Sequence, residues 1–322
     1  MTRARHRTPV RLGAMLAALM ITLLVPFVPR AGADEPVDVP WTNLLPPLPT
    51  GYEPTRENLC VEGQPACVDV VIQEMQRRMQ PLLDTCDHDL IFAFAYLRTT
   101  EEYRRTIAEE PGFFQDPAHI NHQDTVFAAY YFDGYDAWHG GDRSKVAPAW
   151  RVAFDSADRQ AVSSTGNLFL AMNAHINRDM PFVLESIGLT NPDGGSGKPD
   201  HDKSNEWLVD VTEPMLAEGA RRFDPTLDDG DVQYTSADTT LNYQLVAAWR
   251  ERAWRNAERL HAARQLGQVD YGRVAAEIEA QAVAEANAIT AATQYLDPGQ
   301  REARNAYCTA NRGTSSSAAA AT

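Results

Sequence analysis

Apolar residues recur in this chain at intervals of three and four over most of its length, and that spacing leaves little room for anything but helices. Val68, Val71, Ile72, Met75, Met79 and Leu82 lie on one side of a helix over residues 68–83. Residues 90–97 form an apolar block, and Thr100 can cap a following helix whose first turn holds Glu101 and Glu102. Asp116-Pro117 is an N-cap followed by proline in the first helical position, opening a helix to about His139. Further helices are expected over residues 168–189, 205–221, 240–266 and 274–296. Leu241, Leu245, Val246, Trp249, Ala253 and Leu260 face inward along the third of these, and Gly267 ends it. Asp297-Pro298 caps the last helix. Residues 231–235 carry the one weak strand signal. The class is all-α: a single multi-helix, bundle-like domain with an extended N-terminal arm.

The ends read differently. Arg3, Arg5, Arg7 and Arg11 precede an apolar run over residues 12–28, and Ala31-Gly32-Ala33 has the A-x-A form of a cleavage site. This is the pattern of a secretory signal peptide over residues 1–33, and the run is short for a membrane span. Six prolines between residues 34 and 58 make an extended arm, the helical domain spans residues 59–311, and residues 312–322 are a low-complexity tail. Removing residues 1–33 takes away five Arg and no acid, so the formal charge falls from −15 to −20. That surface disfavours nucleic acid and anionic lipid and suits a small or neutral partner. Export also favours disulfides among Cys60, Cys67, Cys86 and Cys308. Three pairings are possible. Gly63 and Pro65 suit a local Cys60–Cys67 loop, which leaves Cys86 with Cys308.

His175 and Asp179 are the strongest functional lead. Four residues apart on a helix, they stack about 5–6 Å apart at Cβ. They interrupt a stripe made by Leu168, Ala171, Met172, Phe182 and Val183. A buried imidazole and carboxylate must be satisfied by a metal, a water or a neighbouring helix. Pro181 adds to the case, because it cannot donate to the Asn177 carbonyl. His119, His122 and Asp124 open one helix, and Asp200, His201 and Asp202 follow a glycine-rich connector, so both segments carry metal-type ligands. Each has a plainer reading: an exposed first turn, an acid at a helix N-terminus, a solvated cap, or a structural His–Asp pair. No nucleophile elbow or phosphate-binding loop is present: Gly194-Gly195-Ser196-Gly197-Lys198 is followed by Pro199.

Two resemblances bear on these residues. The segment from Ala171 to Pro181, with Phe113-Phe114-Gln115-Asp116-Pro117, the stretch from Asp124 to Asp133 with Trp138, and Ala149-Trp150 with Ala153-Phe154, resembles a secreted actinobacterial family of unknown function. That family carries a helix of the form M-N-A-H-I-N-x-D-L-P, and the likeness implies an all-helical domain. Residues 175–181 also look like the H-x-x-x-D segment of the zinc-dependent phospholipases C and single-strand-specific nucleases, and residues 201–205 are similar to that superfamily's H-x-K-x-E segment. The resemblance implies a secreted helical zinc enzyme. Leu184 and Glu185 stand near where a further ligand histidine belongs, and Asn205 replaces an acid, which reduces the implied site to one or two ions. The expectation is therefore a secreted metal-dependent hydrolase of an ester or phosphoester, with His175, Asp179, Asp124 and His201 holding a divalent ion, zinc foremost. The alternative is a non-catalytic secreted helical binding protein with a groove lined by Tyr130, Tyr131, Tyr135 and Trp138.

Overall fold

Side-chain caps mark three helix starts, at Asp116, Ser163 and Asp297, in the computed structural model, which describes residues 60–191, 193–227 and 237–313. Helix α1 is Ala66–Thr85, α2 is Leu90–Glu109, and α3 is Pro117–His139. The Asp116 side chain accepts from the His119 N–H at the start of α3, as the Asp-Pro signal predicts. Helices α4 (Pro148–Asp158) and α5 (Ser164–Met172) follow, the latter capped by Ser163, which accepts from the Gly166 N–H. A π-helical segment, Asn173–Asp179, joins α5 to α6 (Met180–Ile187). Next come α7 (Lys198–Arg222), α8 (Ala237–Leu266), α9 (Gln268–Thr293) and α10 (Pro298–Asn311). Gly267 separates α8 from α9 at φ 121°, a backbone region that favours glycine. Among the described residues there are isolated β-bridges but no β-strand. The expected signal peptide, proline-rich arm and weak strand lie outside them, as do residues 314–322 of the tail.

Two expected helix boundaries need correction. Thr100 starts no helix: α2 runs unbroken through it, and its hydroxyl donates to the Tyr96 carbonyl one turn back. The expected single helix over residues 168–189 is interrupted by the π-helical segment.

The core forms where α2 meets α1, α5 and α7, with α9 closing over α4, α5 and the π segment. Trp150, Phe154, Phe223 and Leu170 are fully buried in it. Each such side chain contributes roughly 1.5–3 kcal/mol by leaving water. A second group, with Met180, Leu184, Trp249 and Ala253, seats α6 on α8. Leu245, expected to face inward, is 39% exposed on α8.

Both disulfides pair as the loop reading predicts, Cys60 with Cys67 and Cys86 with Cys308. The first loop is held against α3 at Gly63, where a Cβ would sit 1.9 Å from the Ala118 carbonyl oxygen. The second joins the end of α1 to α10 across 222 residues. Between α2 and α7, the Arg98 guanidinium makes two parallel bonds to Glu218, at 2.9 and 2.8 Å, and a third to Glu101. This fork fixes two helices that wall an interior cavity.

Candidate functional site

The site begins with the register change at residue 173. In a π-helix the N–H reaches back five residues, and here Met180 donates to the His175 carbonyl. The wide turn ends next to Pro181, which has no N–H to give. His175 and Asp179 remain on one side of it, with Nδ1 3.1 Å from Asp179 Oδ2. A carboxylate only accepts, so Nδ1 carries the proton and Nε2 keeps its lone pair.

Asp179 is wholly buried and fully engaged. Its Oδ2 also accepts from the Trp150 indole N–H at 2.7 Å. Its Oδ1 accepts from the Arg178 guanidinium at 2.8 Å, and Arg178 is held in turn by Glu279 of α9 at 2.9 Å. So α4 and α9 both fix the acid that orients the imidazole. The His175 ring is enclosed by aromatics. Phe127 stacks on it at 3.5 Å between centroids, and Tyr96 meets it edge-on at 4.7 Å. Burial in this cage lowers the His175 pKa, and the Asp179 bond opposes that shift only in part. At neutral pH the ring is uncharged.

Nε2 of His175 is buried with no hydrogen-bond partner among the described residues. It lines a cavity of about 210 Å³ bounded by α2, α3, α5, the π segment, α7 and α8. Three other cavity-lining groups are in the same condition: the Tyr96 hydroxyl, Asp124 Oδ2 and the Trp207 indole N–H. Asp124 lies one turn before Phe127 on α3, and its charge acts on the Tyr96 phenol. Burial raises the Asp124 pKa to about 7 and pushes the Tyr96 phenol well above its usual value. The rest of the wall is mainly Phe92, Leu168, Phe169, Met172 and Val211.

The chain matches the model of a family of unknown function, DUF5995, over residues 68–292, more than two thirds of its length. It belongs to that family. The matched stretch includes the whole His175–Asp179 cluster and its aromatic cage. No curated protein and no solved structure matches the chain.

Of the four expected metal ligands, the structure brings His175 and Asp124 to one cavity and places Asp179 behind the imidazole. His201 is elsewhere: its Nε2 lies 3.1 Å from the Arg250 carbonyl and its ring packs on Trp254. Among the described residues no three His, Cys, Asp or Glu side chains are grouped so as to hold a metal ion. The donor chemistry explains this. Every oxygen of Asp179 already accepts from a nitrogen donor, and His175 offers one free nitrogen. Nearby, Asp200 accepts from the Gln115 and Asp116 N–H groups, and Asp202 pairs with Lys198.

The expected aromatic groove is also displaced. Tyr131, Tyr135 and Trp138 are buried in the core, and Tyr130 lies under Arg178. The aromatics facing the cavity are instead Phe92, Tyr96, Tyr103, Phe127, Phe169 and Trp207. Sequence reasoning missed Tyr96, Trp207 and the two supports of Asp179. Trp150 and Arg178 stood inside the quoted motifs; Tyr96 and Trp207 had no local signal.

Proposed function

We propose that this is an exported helical protein that takes a small, uncharged, largely apolar molecule into its interior cavity. One observation carries the reading: four otherwise unpaired polar groups, from α2, α3, the π segment and α7, face one apolar space. Leaving several buried polar groups without partners costs roughly 1–3 kcal/mol each. A guest carrying a carbonyl or hydroxyl at one end would recover that energy. Cavities of about 150 Å³ accept benzene, so 210 Å³ suits a guest of about ten non-hydrogen atoms. A charged guest is disfavoured, since burial already drives Asp124 and His175 toward their neutral forms and the Arg250 guanidinium on the wall is engaged by the His201 carbonyl. Two disulfides fit the export that the N-terminal sequence pattern implies.

The metal-dependent hydrolase expected from the sequence draws less support, because only His175 and Asp124 of its ligand set reach the cavity with atoms to spare.

Calorimetry with 4-phenylbutan-2-one, the corresponding alcohol and 3-phenylpropanoate tests the proposal. The ketone and alcohol should bind saturably and the carboxylate should not. Ala95→Leu, which fills the cavity from α2, should abolish binding. Equal binding by that variant, or no binding of the uncharged pair to the natural chain, would overturn the reading.

A further inference from the structure

The groups facing the cavity are a matched chemical set as well as unpaired ones. His175 presents a lone pair, Tyr96 an O–H donor, and Asp124 a carboxyl group that burial lifts to a pKa of about 7, so that its protonated form, a second O–H donor, is well populated at neutral pH. A guest held only by packing would need neither a base nor a carboxyl group at that depth. The base is also elaborately supported. Asp179 orients it, Trp150 and Arg178 hold Asp179, and Glu279 holds Arg178. The whole assembly stands on a π-helical turn, a feature that recurs at functional sites.

We propose that the cavity is catalytic: His175 removes a proton from the carbon next to the carbonyl of a small uncharged ketone, while Tyr96 and Asp124 hydrogen-bond the carbonyl oxygen. This rests on the binding reading above and goes beyond it. In the forward step the C–H bond breaks and its proton forms an N–H bond at His175 Nε2. The C–H electron pair becomes a C=C bond, and the carbonyl π pair moves onto oxygen as an enolate. Tyr96 and the protonated form of Asp124 stabilise that oxygen without bringing a competing negative charge. Asp179 stabilises the imidazolium through Nδ1–H. The proton then returns to the same carbon, or to a conjugated one when the ketone is unsaturated, which shifts the double bond. No oxidant, reductant or metal is required, and water enters only to exchange the proton held on Nε2 before it returns to carbon, which is how deuterium reaches the ketone. The titratable groups packed around His175 are Tyr96 from α2, Tyr131 from α3 and Asp179 from its own segment, and Asp124 of α3 lines the same cavity.

Proton NMR in D2O tests this with the full chain and 4-phenylbutan-2-one. The protein should speed exchange of the hydrogens beside the carbonyl above the rate in buffer with equimolar imidazole. His175→Asn should lower the rate about 100-fold, a typical general-base contribution, while calorimetry still detects the ketone. Tyr96→Phe, which preserves the ring packing, should also lose rate, by about 10-fold or more. Exchange no faster than with buffer or with His175→Asn, while the ketone still binds, would overturn the catalysis and leave the binding reading standing. Failure of the ketone to bind at all would overturn both.

Discussion

His88 and His175 are equally buried histidines, 1% and 3% exposed, and they are wired in opposite ways. At His88 both nitrogens are used. Nδ1 accepts from the Asn167 amide at 3.2 Å, and Nε2–H donates to Asn305 at 3.0 Å, whose own amide goes on to Gln160. Beside it, Cys86–Cys308 staples α1 to α10. At His175 one nitrogen is used and the other is left to a cavity. His201 also has one unpaired nitrogen, but it does not line the cavity. An unpaired nitrogen alone therefore marks nothing; an unpaired nitrogen facing a space shared with other unpaired groups marks a place for a guest. The His88 region is built for stability and the His175 region is left unfinished.

That contrast can be broken by stability measurements. The largest effect is expected at the staple. Chain entropy assigns about 5 kcal/mol to closing the 222-residue loop and about 2 kcal/mol to the 7-residue one. Denaturant unfolding of the Cys86→Ala, Cys308→Ala pair and the Cys60→Ala, Cys67→Ala pair should rank them in that order; a reversal would show that loop length does not govern the two staples. Next comes Asp179→Ala, which leaves the Trp150 N–H and the His175 Nδ1–H buried without an acceptor and Arg178 with Glu279 alone, and should cost about 3–5 kcal/mol.

The direct comparison is His88→Phe against His175→Phe. The first removes a hydrogen bond from each of two amides, leaving Asn167 with the Ser163 carbonyl and Asn305 with Arg304, and should cost about 2–3 kcal/mol. The second removes an atom that had no partner, leaves Asp179 two donors, and should cost less than about 1 kcal/mol. Equal costs would make His175 an ordinary structural residue.

The smallest effect depends on pH. Asp124 titrates near 4 in the unfolded chain and at about 7 when folded. The folded state thus holds a proton that the unfolded state has lost between those values, so this group's contribution to stability falls as pH rises from 4 to 7. Asp124→Asn should therefore gain on the natural chain by about 1 kcal/mol or more at pH 8, and by least at pH 4. Asp89, also raised to about 7, keeps its own share of the slope. A gain that does not change with pH would mean Asp124 is not held neutral.

Much of the fold was legible because helices write themselves locally. Spacing of three and four marked the apolar faces, and Asp116, Gly267 and Asp297 marked the boundaries. What failed was also local: Thr100 resembles a cap, yet its hydroxyl is satisfied inside α2. The His175–Asp179 pair was legible for the same reason, being one turn of one segment. The register change around it was only half visible, in the N–H missing at Pro181. Tyr96 and Trp207 reach the cavity from α2 and α7, and no spacing within either segment distinguishes them from core aromatics. His201 was misassigned because its partner is a backbone carbonyl, that of Arg250, which leaves no trace in the pattern of side chains.

Imidazole nitrogen NMR on the full chain tests the central claim most directly, because the two histidines should be opposite tautomers. At pH 7, His88 should carry its proton on Nε2 and His175 on Nδ1. Adding 4-phenylbutan-2-one should move the Nε2 resonance of His175 and leave both His88 nitrogens in place. A His175 that is protonated on both nitrogens at pH 7, or that ignores a saturating ketone, would contradict the account.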